Sequence, residues 1–331
     1  MYRKLFWLKG KETEMGKSVQ HWAKQKERGN HLALWITRHM VRYCPAWLMM
    51  PLVYAIVSYF FLTAPGARRS ISRYQKYLLQ SFPELKPSLQ ARGAVFKQFY
   101  SFAMSLVDRF AVWQGRIKYE DLVIHDLDNL YAEIDHPVVN NPGQILVCSH
   151  LGNTEICRAL VKKHPHIVLN VLMHSAHAVK FNQALNEAGA SRIKVIQVTE
   201  LDADMMMYLH NCVSRGEWLA IAADRVPIRG EKTVTSSFLG QPANWPQGVW
   251  LMAGLLKVPV NTLYCLKEQG KYHLYLHRFV SSIKWQRHQR DECIRQYVEE
   301  YARQLAFYCA KAPWQWFNFF DFWNQNDKTT M

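Results

Sequence analysis

The sequence predicts an α/β fold: a mostly parallel central sheet flanked by helices, behind an N-terminal helical, membrane-associated segment. Three observations carry this. Short apolar runs of strand length alternate with helix-length stretches between residues 144 and 223. Those runs are mostly apolar and do not alternate with polar residues, as befits strands covered on both faces. Residues 43–67 (YCPAWLMMPLVYAIVSYFFLTAPGA) hold no charge, while basic residues crowd both flanks. The 331 residues divide on this reading into a basic membrane-associated region, 1–80, and an α/β domain, 81–325.

The composition, 49% hydrophobic and 20% charged, is that of a folded chain and excludes a disordered one. The net charge is +15, and the first 76 residues carry +11 of it. A nucleic-acid binder spreads its basic patch over the folded surface. Here the charge flanks an apolar stretch, which predicts an anionic membrane surface as partner and no nucleic acid.

From the N-terminus, Met1–Glu14 is charged and lacks the apolar core of a signal peptide, so none is expected. Met15 is an alternative start. Residues 17–42 read as a basic amphipathic helix, with Trp22, Leu32, Trp35, Ile36 and Met40 as its apolar stripe. The uncharged stretch 43–67 is 25 residues long, and about 20 span a bilayer as a helix. Pro51 interrupts it, Pro65 ends it and Arg68-Arg69 follow. Three readings stand: a span, an interfacial or re-entrant segment, and a buried core helix. Basic residues on both flanks would put one flank of a single span on the wrong side, which favours the interfacial or re-entrant reading.

Between 87 and 113, Leu89, Val95, Phe96, Phe99, Phe102, Ala103, Leu106, Phe110 and Trp113 recur at helical spacing. Strands follow at 144–148, 167–172, 193–198 and 218–223, with helices near 154–164, 176–188 and 202–214 between them. Residues 258–266 and 272–279 form a hairpin across Lys267–Lys271, and a long helix covers 290–310. The seven cysteines contain no CxxC pair, which predicts reduced thiols and no disulfide framework.

In open α/β sheets ligands bind beyond the carboxyl ends of the strands. Strand 144–148 runs into Ser149-His150-Leu151-Gly152-Asn153-Thr154-Glu155. Gly152 permits a tight turn, and Asn153 or Thr154 can cap the next helix. Glu155 in that helix's first turn would face His150, fix its tautomer and leave the other ring nitrogen as a general base. Strand 218–223 delivers Asp224 and Arg225 to the same edge, where Arg225 could hold a phosphate or an oxyanion. An Asp–Arg pair closing a loop explains the same residues. Residues 237–248 read as a Gly/Pro-rich loop before a helix starting near Pro246. His164-Pro165-His166 reads as a surface turn. His174 and His177 end a strand and could join the site, but no Cys or carboxylate spacing makes a metal centre.

Taken in order, these segments resemble the lipid A biosynthesis acyltransferase family, the late lauroyl/myristoyl transferases of Gram-negative bacteria, within the lysophospholipid acyltransferase superfamily. The matching pieces are His150 with Glu155, the strand end Asp224-Arg225, and Phe238-Leu239-Gly240-Gln241-Pro242-Ala243. The helix from Pro246 through Val258-Pro259-Val260 and the C-terminal Ala312-Pro313-Trp314-Gln315-Trp316 complete them. With two departures, the chain looks more like a divergent branch of that family. Asn318–Trp323 replaces a basic run, and Met173-His174-Ser175-Ala176-His177 lacks a Tyr-Arg/Lys pattern.

The resemblance implies acyl transfer from a thioester, on acyl carrier protein or coenzyme A, to a hydroxyl or amine of a lipid or glycolipid. His150 and Glu155 would be catalytic, with Arg225 and Asp224 at the oxyanion or phosphate. Asn153, His174, His177, Asn244 and Gln315 complete the candidate set as substrate-binding residues. It implies no cofactor beyond the acyl co-substrate, and a place on the cytoplasmic face of the inner membrane. A secondary-metabolite or aminolipid acceptor, a thioesterase and a non-catalytic lipid-binding protein are the alternatives.

Overall fold

The computed structural model describes residues 46–113, 115–135, 142–157, 163–164, 166–173, 193–198, 202–226, 232–286 and 288–323. The amphipathic stretch 17–42, the helix at 176–188, and His174 and His177 lie outside them.

The chain enters through α1 (Ala46–Thr63) and α2 (Pro65–Ser81), bent by 92° to each other at Ala64. Pro65 forces that break by starting a new helix at its first position. Pro51 does not interrupt the apolar stretch as its sequence suggests: α1 runs through it, at the loss of one ladder bond. One face of α1, with Val53 and Val57, packs on Phe99 and Val107 of α3 (Ala94–Trp113). The opposite face leaves Leu52, Tyr54, Ile56, Tyr59 and Leu62 exposed. No single described helix is long and apolar enough to cross a membrane, but α1 and α2 pass that test together as a bent pair. Tyr74 and Leu78 of α2 are buried in the main core.

The seven-stranded sheet is built from β1 (Leu122–Asp126), β2 (Ile145–Cys148), β3 (Leu169–Met173), β4 (Ile193–Gln197), β5 (Trp218–Ala222), β8 (Val260–Glu268) and β9 (Lys271–Val280), in the order β1-β9-β8-β2-β5-β3-β4. Strands β8, β2, β5, β3 and β4 run parallel; β9 turns back antiparallel on β8, and β1 runs parallel to β9. The β8–β9 turn is Gln269-Gly270, both at positive φ, the conformation that hairpin twist requires. Strand β1 had no signal of its own in the sequence.

Residues alternate across the sheet. Ile145, Val147, Leu219, Ile221 and Tyr264 face a core closed by α5 (Gly248–Leu256) and α6 (Arg290–Lys311), while the helix α4 (Ala203–Ser214) adds Leu209 and Val213. Leu146, Cys148, Ala220, Leu263 and Leu274 point to the other side, into a second cluster. The expected loop at 237–248 is instead an antiparallel hairpin, β6 (Thr233–Phe238) and β7 (Gln241–Pro246). Its turn, Leu239-Gly240, again has both residues at positive φ. Phe238 and Trp245 are buried, so the segment is core structure.

Candidate active site

The register of two strands builds the site. Cys148 of β2 lies opposite Ala222 of β5 in a parallel pair. Two residues further on, His150 and Asp224 leave the same sheet edge side by side. Asp224 Oδ1 lies 2.7 Å from His150 Nδ1, and Oδ2 accepts the His150 backbone N–H at 2.8 Å. Trp316 Nε1 donates to the same Oδ2 at 3.1 Å, and Asn318 Nδ2 reaches it at 3.5 Å. Asp224 is fully buried. Burial alone would raise its pKa, but the charge and hydrogen bonds of His150, with Arg225 beside it, hold the carboxyl at about 2. Asp224 is thus an ionised acceptor, and the shared proton belongs to His150 Nδ1. Nε2 is left with its lone pair. Burial and then the Arg225 charge lower the His150 pKa against the opposing pull of Asp224, so the ring is neutral at pH 7.

This corrects two expectations. Glu155 does not hold the His150 tautomer; Asp224 does. Nor does Asp224 bind an oxyanion or phosphate, since a buried carboxylate repels one. The reason is topological: strands 70 residues apart in sequence are neighbours in the sheet, and their ends are in register. Glu155 sits in a 3-10 turn, Thr154–Ile156, and lines the same cavity as His150.

The loop 150–153 is held from both sides. Phe317 N donates to His150 O and Gly152 N to Gln315 O, each at 2.8 Å, with Leu151 bridged to Trp316. On the other flank Asn153 N donates to Cys265 O at 2.8 Å. Gly152 has φ +75°, and a Cβ there would lie 1.9 Å from Cys265 O. Only glycine allows this approach. The amides of Gly152 and Asn153 are therefore spent on structure.

Three other candidate residues make structural contacts. Asn153 does not cap the turn with its side chain: Nδ2 reaches back to Ser105 O on α3 at 3.0 Å. Gln315 does not line the cavity, and its amide grips the Lys267 backbone at 2.9 and 2.8 Å. Asn244 accepts from Thr235 within the β6–β7 hairpin, away from the cavity. Arg225 serves both structure and site: Nε donates to Asn318 Oδ1 and Nη2 to Phe317 O, each at 2.9 Å, and its side chain lines the cavity. Of the pair read as a surface turn, His166 is exposed in a turn while His164 is buried against Tyr131.

The cavity itself measures about 580 Å³. At one end stand His150, Asn153, Thr154, Glu155 and Arg225. Away from them it runs under the sheet, lined by Leu146, Leu169, Ile193, Trp218, Ala220, Leu263 and Leu276. Those residues come from six adjacent strands. One wall is the face of α3 bearing Phe102, Ser105, Leu106 and Arg109, at helical spacing. A polar edge opening on a long apolar trough suits a ligand with a reactive head and a hydrocarbon tail.

A sequence-family model for the bacterial lipid A biosynthesis acyltransferases matches residues 24–325. The chain belongs to that family. No individual curated protein matches it. The acyltransferase carries its His150–Asp224 pair, the glycine turn and the C-terminal clamp within the matched span. The sequence reading overlooked Arg109 and Asp108. Asp108 is an acid inside the apolar stripe of α3, and accepts from Lys267 Nζ and Tyr272 OH, both at 2.6 Å. A charged pair interrupting an apolar helical stripe was the available signal. Among the described residues no group of His, Cys, Asp and Glu could hold a metal ion. The described cysteines are free thiols, with Cys148, Cys157, Cys212, Cys265 and Cys309 buried.

Proposed function

We propose that this acyltransferase moves a fatty acyl group from a thioester, on acyl carrier protein or coenzyme A, to a hydroxyl of a lipid acceptor at the membrane surface. The observation that carries it is the pairing of buried Asp224 with half-buried His150 at the polar end of an apolar trough. His150 Nε2 takes the acceptor hydroxyl proton as that oxygen attacks the thioester carbonyl. Asp224 stabilises the imidazolium that forms and keeps the ring oriented. Arg225 brings positive charge to the developing oxyanion. The C–S bond then breaks, and the imidazolium returns its proton to the leaving thiolate. Glu155 faces the same cavity and contributes to acceptor placement. The acyl chain lies along the apolar wall.

The exposed apolar face of α1, followed by Arg68 and Arg69 on α2, supports docking in the interface of an anionic bilayer. Docked this way, the enzyme would take its acceptor from the bilayer surface. The basic N-terminal region also suits an acidic carrier protein as donor.

Mass spectrometry of lipid extracts from cells carrying the wild type or His150→Ala tests this. We expect a species one acyl group heavier with the wild type alone, and its identity names the acceptor. Full transferase activity in His150→Ala overturns the base assignment. Release of free fatty acid without acylated lipid overturns transfer in favour of hydrolysis.

A further inference from the structure

We propose that Arg109 is a recognition residue for a phosphate ester on one of the two substrates, a role that rests on the acyl-transfer reading of the same cavity. Arg109 lies on the α3 face that walls the cavity. Its Nε atom is buried without a hydrogen-bond partner. No ion pair joins it to Glu155 or to any other described residue. That N–H is a donor left open beside the cavity, and a buried donor without a partner is costly unless a ligand supplies one.

Its neighbours fix its position. The preceding residue, Asp108, is bonded to Lys267 and Tyr272, and Tyr272 OH touches Asn153 of the His150 loop. Arg109 therefore lies one helical turn from Ser105, whose carbonyl holds the Asn153 side chain of the His150 loop. The contrast with Arg225 sharpens the point. Arg225 is tethered through Asn318 and Phe317, whereas Arg109 is held by no described group. Two guanidinium groups line the cavity against one carboxylate, Glu155, which leaves it suited to a further anion. The planar fork of arginine pairs two phosphate oxygens at once, a geometry lysine lacks. Both the thioester carrier, through its phosphopantetheine, and a phospholipid-type acceptor present that group.

Calorimetric titration of the full chain in nonionic detergent, with decyl phosphate and decanol as probes, tests it without turnover. The wild type should bind decyl phosphate about tenfold or more tightly than decanol. Arg109→Ala and Arg109→Gln should lose that preference with decanol binding unchanged, which also shows that the variants are folded. Arg109→Lys should keep part of it. Displacement of decyl phosphate by free coenzyme A assigns the phosphate to the donor; persistence assigns it to the acceptor. Equal binding of the two probes by the wild type, or a preference surviving in both Arg109→Ala and Arg109→Gln, overturns the proposal. Because no acyl transfer is read, this result stands or falls apart from that of His150→Ala.

Discussion

At the residue scale, the decisive contact is between His150 Nδ1 and Asp224 Oδ1. Removing the charge while keeping the shape isolates its effect. Asp224→Asn should lower kcat by about a hundredfold or more, within the range that general-base positioning supplies. Steady-state kinetics checks it; a loss below threefold would make Asp224 a merely structural group. The titration of His150 gives an independent reading. Its pKa is lowered from 6.5, so the base is competent above that value and is lost as pH falls through the lowered pKa. The acid limb of kcat/KM should therefore lie below pH 6.5. Asp224 is the group that raises the His150 pKa against burial and Arg225. In Asp224→Asn the limb should move to still lower pH while the rate drops. A limb moving upward would contradict the pairing.

At the scale of elements, the loop 150–153 works because two unrelated segments hold it. Strand β8 presents Cys265 O, and the C-terminal segment presents Gln315 O and the Phe317 amide. Trp316, fully buried, locks that segment by donating to Asp224 and packing against Tyr74 and Phe238. Gly152→Ala should be among the most damaging small substitutions in the chain. It adds one methyl group where Cys265 O already stands, at a φ that alanine adopts at a cost of roughly 1–2 kcal/mol. The loop must then shift, taking His150 with it. We expect a melting temperature lowered by several degrees and activity reduced more than stability explains. Wild-type activity at unchanged melting temperature would show that the loop tolerates the displacement.

At the scale of the whole molecule, the apolar residues exposed on α1 form one face of a helix whose other face is packed on α3. Soluble monomers rarely expose such a patch without a use for it. Replacing Tyr59 and Leu62 together by Glu leaves the packed face intact. The full-length double variant should lose most of its flotation with anionic vesicles while keeping its melting temperature. Undiminished flotation would move membrane attachment away from α1.

The sequence by itself determined the fold class, because continuous apolar runs such as Ile145–Cys148 and Trp218–Ala222 have few structural alternatives. It determined His150 and Arg225 as strand-end residues, since position at a strand end follows from local pattern. It also marked Gly152 and the basic flanks of an uncharged segment. Who pairs with whom was not local. Glu155 lay five residues from His150 and took the role that Asp224, distant in sequence, fills through the Cys148–Ala222 register. Gln315 and Asn153 look like substrate ligands in sequence, and tertiary structure spends them on backbone groups of β8 and α3. Arg109 left one local trace, a charge on an apolar stripe, which acquires meaning only when the cavity beside it, and the absence of a partner among the described residues, are seen. Strand order is a long-range choice made by packing, and the chemistry of this site depends on that choice.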